Sequence, residues 1–390
     1  YFMDFTLNED QQAFQDTARA FAREQMAPYA ADWDENKIFS KEFYAKAGEL
    51  GFCGLYTPEH AGGMNLTRLD SAIVLEELAA GCTSTAAFIS IHNMATWMIA
   101  QWGKESTIEQ WCGDLTQGKK LASYCLTEPG AGSDAGSLRS TAKKQGQQYL
   151  LNGSKMFISG AGDTDVLVVM ARTGTQEEGS AGISAFAIPA QLDGIHYGKN
   201  EAKMGWNSQP TRAISFENVL VDQDSLLGQE GEGFKIAMRG LDGGRINIAT
   251  CSIGAAQACI NHSQKYMLER QQFGKPLAAF QALQFKLADM LTELIAARQM
   301  VRLAASKLDA DDVDKSTYCA MAKRFATDAG FNICNDAMQL HGGYGYLKEY
   351  PLERFMRDAR VHQILEGTNE IMRVITARRL FEVGAPEALR

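Results

Sequence analysis

The sequence predicts a mainly helical α+β chain built in three successive parts, and three observations carry that prediction. Apolar residues recur at helical spacing through about the first 120 positions. Short apolar runs bounded by Gly, Asn, Asp and Pro then take over, as strands require. Beyond Gly231 long amphipathic helical patterns return, joined by short connections. The predicted parts are 1–122, all helix; 123–230, antiparallel β; and 231–390, a helical bundle.

In the first part, Asn8-Glu9-Asp10-Gln11 resembles a capping box, and Phe14, Ala18, Phe21 and Ala22 follow on one face. Pro28 ends or redirects that helix. Further helices are expected at 41–50, 68–80, 84–102 and 106–117, with breaks such as Gly62-Gly63 between them. The stretch Cys82 to Trp102 has no charged residue and is long enough to span a bilayer. Its polar residues Thr83, Ser84, Thr85, Ser90, His92, Asn93, Thr96 and Gln101 make a buried core helix the expected outcome, with no membrane insertion. In the second part, Tyr149-Leu150-Leu151, Met156-Phe157-Ile158, Val166 to Met170 and Ile183 to Ile188 read as strands. Asn152-Gly153 predicts a hairpin turn between two of them. In the third, helices at 234–269, 278–307, 314–341 and 367–383 predict a four-helix bundle.

Composition removes several function classes. A chain of 390 residues with 45% apolar and 22% charged content is globular, with room for two or three domains. Its net charge of −9 excludes a general nucleic-acid binder, so any anionic ligand is held by local donors. The eight cysteines are scattered, with Cys251 and Cys259 the nearest pair, so neither a CxxC metal pair nor a disulfide framework is present. No metal site and a reducing compartment are expected. The start, Tyr1-Phe2-Met3-Asp4-Phe5, shows neither an apolar signal core nor an Arg-rich presequence, and no export is expected.

Five segments could carry chemistry, and each also has a plain structural reading. Tyr124-Cys125-Leu126-Thr127-Glu128-Pro129-Gly130-Ala131-Gly132-Ser133-Asp134 runs from an apolar strand end into a Gly-rich turn, where backbone N–H groups can approach an anion or a planar ring. Strands, not a helix, follow it, which argues against a dinucleotide βαβ unit and leaves an ordinary turn as the alternative. Asp242 and Arg245 share one helix face, as a ligand-holding pair or a solvated ion pair. Arg270 to Pro276 with Phe280-Gln281 ends one helix and starts the next; Arg270 could neutralise a pyrophosphate or cap a helix. Gln339-Leu340-His341-Gly342-Gly343 is a helix stop open enough for a nucleotide, or merely a Gly-terminated helix. In Ile364-Leu365-Glu366-Gly367-Thr368-Asn369-Glu370 a carboxylate stands among apolar neighbours. Desolvation there would raise its pKa towards that of a general base, although a Glu near a helix start is commonly a dipole contact.

Together these motifs resemble the acyl-CoA dehydrogenase family from about Phe5 to Phe381. Within it the likeness is greatest to the isobutyryl-CoA dehydrogenases, through Gly205-Trp206-Asn207-Ser208-Gln209-Pro210-Thr211-Arg212, Gly243 to Ala249 and Val361 to Gly367. The resemblance implies a helical N-terminal domain, a β-barrel-like middle domain and a C-terminal four-helix bundle. It also implies FAD, a homotetramer and an electron-transfer flavoprotein as acceptor. The compartment implied is the cytoplasm in a bacterium and the mitochondrial matrix in a eukaryote.

Carried over by position, the resemblance sets Tyr124, Cys125, Leu126, Thr127, Gly132 and Ser133 along the flavin, with Ser133 shared with the CoA arm. Phe157, Ile158 and Ser159 would face the other side of the ring, where relatives often have Trp-Ile-Thr. Asp242 and Arg245 would hold CoA, with Gly367 and Arg378 on the substrate side. Arg270, Phe273, Phe280, Gln281, Gln339, Leu340, His341, Gly342 and Gly343 would contact the FAD nucleotide across a subunit interface, and Thr368, Asn369 and Glu370 would return to the cofactor.

Glu366 is the catalytic base that the resemblance implies, taking the α-proton of a short branched thioester while hydride passes to the flavin. Isobutyryl-CoA to methacrylyl-CoA, a step of valine breakdown, is the expected reaction. Some relatives carry the base just before the Arg of the 242–245 segment, but Gly244 stands there. Relatives acting on straight chains often have Tyr before the catalytic Glu; Leu365 here would leave room for an α-methyl group. Other short acyl substrates, an oxidase and a silent flavin or acyl-CoA binding protein remain the alternatives.

Overall fold

The computed structural model describes residues 5–383 and Leu389; the segment 1–4 that opens the chain and 384–388 and 390 at its end lie outside the described residues. The first part holds six helices: α1 (Glu9–Phe21), α2 (Ala30–Asn36), α3 (Lys41–Glu49), α4 (Arg68–Gly81), α5 (Thr83–Trp102) and α6 (Glu105–Thr116). The capping box at Asn8 and Gln11 forms as expected. A π-helical turn, Ala22–Met26, leads from α1 towards Pro28.

The uncharged α5 is the axle of this part. Its polar side chains are buried and partnered: Asn93 accepts from Leu55 N at 2.7 Å and donates to Phe52 O at 2.8 Å. His92 bridges Leu115 O at 2.9 Å and Ala122 N at 3.1 Å, tying α6 to the first strand. Partnered polar groups suit a protein core and make poor contact with lipid. No described helix is long and apolar enough to cross a membrane.

The middle part is a sheet of β1 (Ala122–Cys125), β2 (Thr141–Gln145), β3 (Gln148–Ser159), β4 (Val166–Arg172), β5 (Ile183–Pro189), β6 (Ile195–Tyr197), β7 (Thr211–Asp222) and β8 (Leu226–Leu227). Its order is β6-β7-β3-β2-β4-β5-β8, with β1 beside β4. Pairing is antiparallel except for β1 with β4 and a single rung of β2 with β4. Central β4 is buried throughout, and alternation sorts its two faces. Leu167 and Val169 enter the sheet's own core with Tyr149 and Phe216. Val166, Val168 and Met170 pack instead on Met94, Met98 and Trp111 of the helices.

The hairpin expected at Asn152-Gly153 is not a turn. The chain reverses at Gly146-Gln147, between Gln145 and its partner Gln148, and β3 continues through residue 153. Asn152-Gly153 is a bulge in the β3–β7 pairing, where the register shifts between Leu151 and Gly153. Gly153 takes φ 141 there, and a Cβ on it would lie 2.3 Å from Ser140 Oγ. The expected reversal is absent because a bulge draws on the same backbone freedom as a turn without reversing the chain.

The last part comprises α7 (Gly233–Glu269), a two-stranded β9 (Gln271–Gln272) and β10 (Lys275–Pro276), then α8 (Gln281–Asp309), α9 (Lys315–Leu340), α10 (Leu352–Arg360) and α11 (Asn369–Val383). The four expected helices are present within a few residues of their predicted ends. Helix α10 was not expected: Pro351 and the density of charge hide a short amphipathic helix that buries Leu352, Phe355 and Ala359. It delivers the chain to the loop 361–368, which carries Glu366.

Candidate active site

All three parts meet at a cavity of about 1190 Å³, larger than the roughly 300–1,000 Å³ of ordinary ligand pockets. Its walls are the end of β1 and the Gly-rich turn, the end of β3, the α7 face bearing Leu241 and Arg245, and the loop from Val361 to Thr368. Tyr124, Leu126, Thr127, Gly132, Ser133, Phe157, Ile158, Ser159, Arg245, Glu366, Gly367 and Thr368 all line it, so four segments far apart in sequence converge.

Glu366 is the chemical centre of this cavity. Its φ of 56 and the φ of 85 at Gly367 make two consecutive left-handed residues, an arch that raises the side chain off the loop. The residue keeps some surface towards the cavity, but Oε2 is out of solvent and has no hydrogen-bond partner. Burial pushes the carboxyl up to about 7, against the opposing pull of Arg245 and Lys323. Gly244 gives it room, since a Cβ there would stand 2.4 Å from Oε2.

Arg245 pairs with Asp242 at 2.7 Å with both side chains buried, which removes the reading of a solvated ion pair. Asp242 also accepts from Ser316 Oγ at 2.5 Å, and it supports Arg245 from behind without lining the cavity. Leu365 and Ile364 stand on the wall beside Glu366, with Trp206 and Ile91 nearby.

Several groups that hold the walls in place escaped the sequence reading. Lys155, fully buried in β3, donates to Glu128 Oε1 at 2.8 Å and Leu126 O at 3.0 Å. Glu128 in turn accepts from Arg139 N and Ser140 N, so one buried pair fixes the whole Gly-rich turn. Lys155 shares its inward parity with Tyr149 and Leu151, and that parity was the available signal. On the loop side, Trp206 N donates to Asp358 Oδ1 at 2.6 Å and Trp206 Nε1 to His362 Nε2 at 3.2 Å. His362 therefore carries its proton on Nδ1, 2.7 Å from Ser252 Oγ, and burial holds it neutral with a pKa of about 3. The Gly205 to Arg212 segment thus docks onto the base-bearing loop.

Other sequence candidates lie elsewhere. Cys125 is wholly buried in the sheet core, Asn369 is buried beneath the loop, and Glu370 and Arg378 are exposed on α11. Arg270, Phe273, Phe280, Gln281 and 339–343 do not line the cavity. They form a separate patch at one end of the bundle, where Arg270 lies 5.5 Å from the Tyr344 ring and Phe273 is 93% exposed. Within it Leu340 is buried and His341 stacks on Tyr266 at 4.3 Å, whereas Gln339, Gly342 and Gly343 are open.

A large cavity with apolar walls, a rim of Thr127, Ser133 and Ser159, and an unpartnered carboxylate suits a flat aromatic cofactor stacked beside a second ligand. Comparison with known proteins agrees. Residues 8–119, 123–219 and 231–381 match the sequence profiles of the acyl-CoA dehydrogenase N-terminal, middle and C-terminal domains. The mitochondrial isobutyryl-CoA dehydrogenase of Bos taurus is 51% identical over 376 residues, 96% of this chain and 90% of that protein. Butyryl-CoA dehydrogenase from Megasphaera elsdenii superposes with a TM-score of 0.94 at 39% identity, covering 97% of this chain and 100% of that one. A chain solved in work on the electron transferring flavoprotein of Acidaminococcus fermentans gives 0.94 at 42% identity, covering 97% and 99%.

Proposed function

The chain belongs to the acyl-CoA dehydrogenase family, and from that premise we propose that it oxidises isobutyryl-CoA to methacrylyl-CoA with Glu366 as the base. It is an FAD-dependent oxidoreductase acting on acyl-CoA thioesters. When bound, the flavin accepts the hydride from the β-carbon, the redox chemistry that amino-acid side chains do not supply. Everything else falls to the protein.

The observation that carries the assignment is the unpartnered Oε2 of Glu366 inside a largely apolar cavity. An α-proton next to a thioester is weakly acidic, so its removal needs a base without competing hydrogen bonds and a way to stabilise the enolate. A carboxyl raised to about 7 meets the first need, because its conjugate base is stronger than a solvated carboxylate. The left-handed arch at 366–367 is suited to the second, since a backbone N–H presented there to the thioester oxygen would be a donor worth roughly a hundred- to thousandfold in rate. Arg245, held by Asp242, offers a fixed cation to the CoA side. Leu365 on the wall beside Glu366 leaves space that supports an α-methyl substrate.

The separate patch supports a further reading. Arg270, open glycine backbone at 342–343 and an exposed Phe273 are suited to the FAD nucleotide of a neighbouring subunit, as in a homotetramer. An electron-transfer flavoprotein is the proposed acceptor, and the cytoplasm or mitochondrial matrix the proposed compartment.

Stopped-flow reduction of the yellow protein by isobutyryl-, 2-methylbutyryl- and butyryl-CoA tests the assignment. Isobutyryl-CoA is expected to bleach it fastest, and Glu366→Gln to slow bleaching about a hundred- to ten-thousandfold. Fastest bleaching by butyryl-CoA would overturn the substrate; undiminished bleaching in the variant would overturn the base.

A further inference from the structure

The arch that bears Glu366 rests on one buried amine. Lys323 lies on the inward stripe of α9 with Cys319, Ala326 and Thr327, and its side chain is fully out of solvent. Its Nζ donates to Gly367 O at 2.7 Å and to Asn369 Oδ1 at 2.9 Å. Asn369 is itself fixed, donating to Thr327 Oγ1 at 2.9 Å and Asp328 Oδ1 at 2.7 Å. An amine buried in a helical bundle carries a desolvation cost that Leu or Met would avoid. The two bonds here are both spent on the residues that follow Glu366.

The geometry assigns Lys323 as the positioning residue of the base: by gripping the Gly367 carbonyl and Asn369, it fixes the left-handed arch and aims the Glu366 carboxylate into the cavity. The reasoning is local. At φ 56 and 85 the backbone at 366–367 sits in a sparsely populated region and persists only where surrounding contacts hold it. The carbonyl immediately after the carboxylate is one such contact point, and it is satisfied by a group on a different helix. The assignment rests on the reading of Glu366 as base.

Charge gives Lys323 a second effect. The groups facing Glu366 are Arg245 from α7, Lys323 from α9, Tyr124 from β1 and Tyr56 from the N-terminal part. Those facing Lys323 are Glu366, Arg245, Asp328, Glu370 and His362. Arg245 is already paired with Asp242, so Lys323 is the cation without a carboxylate bonded to it that favours ionised Glu366. Burial brings the amine itself down to about 7, and Glu366 opposes that fall. Removing the amine takes away a cation and moves the ionisation of Glu366 to higher pH.

Lys323→Met, of similar length but without donor or charge, and Lys323→Gln, with a shorter neutral donor, test this in the FAD-loaded enzyme. In both, kcat is expected to fall about tenfold to a hundredfold while KM changes less than about threefold. The acid limb of kcat/KM is expected to rise by about half a unit or more. Gln is expected to recover part of kcat but not the position of the limb. A folded, flavin-bearing variant with wild-type kcat, or with reduced kcat and an unmoved acid limb, would overturn the assignment. Glu366→Gln run alongside separates the two readings: turnover surviving there sinks the base itself, whereas turnover lost there and intact in Lys323→Met sinks only the role of Lys323.

Discussion

Gly244 shows how closely the site is fitted at the scale of single atoms. A methyl group there would meet Glu366 Oε2 at 2.4 Å, its Cδ at 3.0 Å and Met94 Sδ at 3.2 Å. Alanine is favoured over glycine inside a helix by about 1 kcal/mol, which offsets strain against flexible neighbours. Gly244→Ala therefore separates stability from chemistry. Turnover is expected to fall by about a hundredfold as the carboxylate is pushed aside. The melting temperature is expected to move by no more than about 4 °C. Unchanged turnover would mean that the carboxylate works from another position. The apolar setting of Glu366 left a dipole contact open as its role, the family resemblance made it the expected base, and Gly244 was noted only as a place where no base stands. The reciprocal fit, one residue lacking a side chain so that another can enter, is a contact across 122 positions, and no local pattern encodes it.

At the scale of elements, periodicity located the long helices and strands β3, β4 and β5, because burial of one face imposes its period on the sequence, but it passed over α2, α10, β2 and the long β7. It failed where the backbone departs from regularity. Asn152-Gly153 predicted a reversal that does not occur, since a bulge and a turn draw on the same residues. The difference lies in partner strand β7, whose Asn218 N donates to Asn152 Oδ1 at 2.8 Å. Gly153→Ala tests the bulge: a Cβ would meet Ser140 Cα at 2.6 Å and sit at a φ of 141. Thermal unfolding is expected to register a loss of about 1–3 kcal/mol, and β3 would draw away from the Gly-rich turn that Lys155 anchors. A loss below about 0.5 kcal/mol would show that the strand accommodates the methyl without strain. Lys155 and Lys323 were invisible for a related reason. Lysine is normally solvated, and only its parity in β3 or its stripe in α9 places it inside.

At the scale of the whole molecule, the junction of α7 and α8 exposes apolar side chains that the single chain does not cover. Leu268 is 62% exposed, Phe273 93% and Phe285 59%, around the end of α7 and the start of α8 on either side of Arg270, and Tyr346 after α9 is 80% exposed. In the homotetramer proposed above, an apolar surface of this kind would be covered by a neighbouring subunit. The same surface carries the cofactor-binding candidates Arg270, Phe273, Phe280 and Gln281, so assembly and cofactor retention should be linked. If neighbouring subunits complete the FAD nucleotide site there, binding of flavin stabilises the assembled form by mass action, and loss of assembly weakens flavin binding in turn. Phe273→Asp separates these expectations from folding, because the residue touches little of its own chain. Sedimentation velocity is expected to show smaller species than for the unaltered protein, with flavin absorbance lost on gel filtration and far-ultraviolet dichroism unchanged. Full flavin retention in a dissociated variant would place the whole FAD site within one chain. Retention of both assembly and flavin would show that the apolar end of α7 and α8 faces something other than a second copy of this protein.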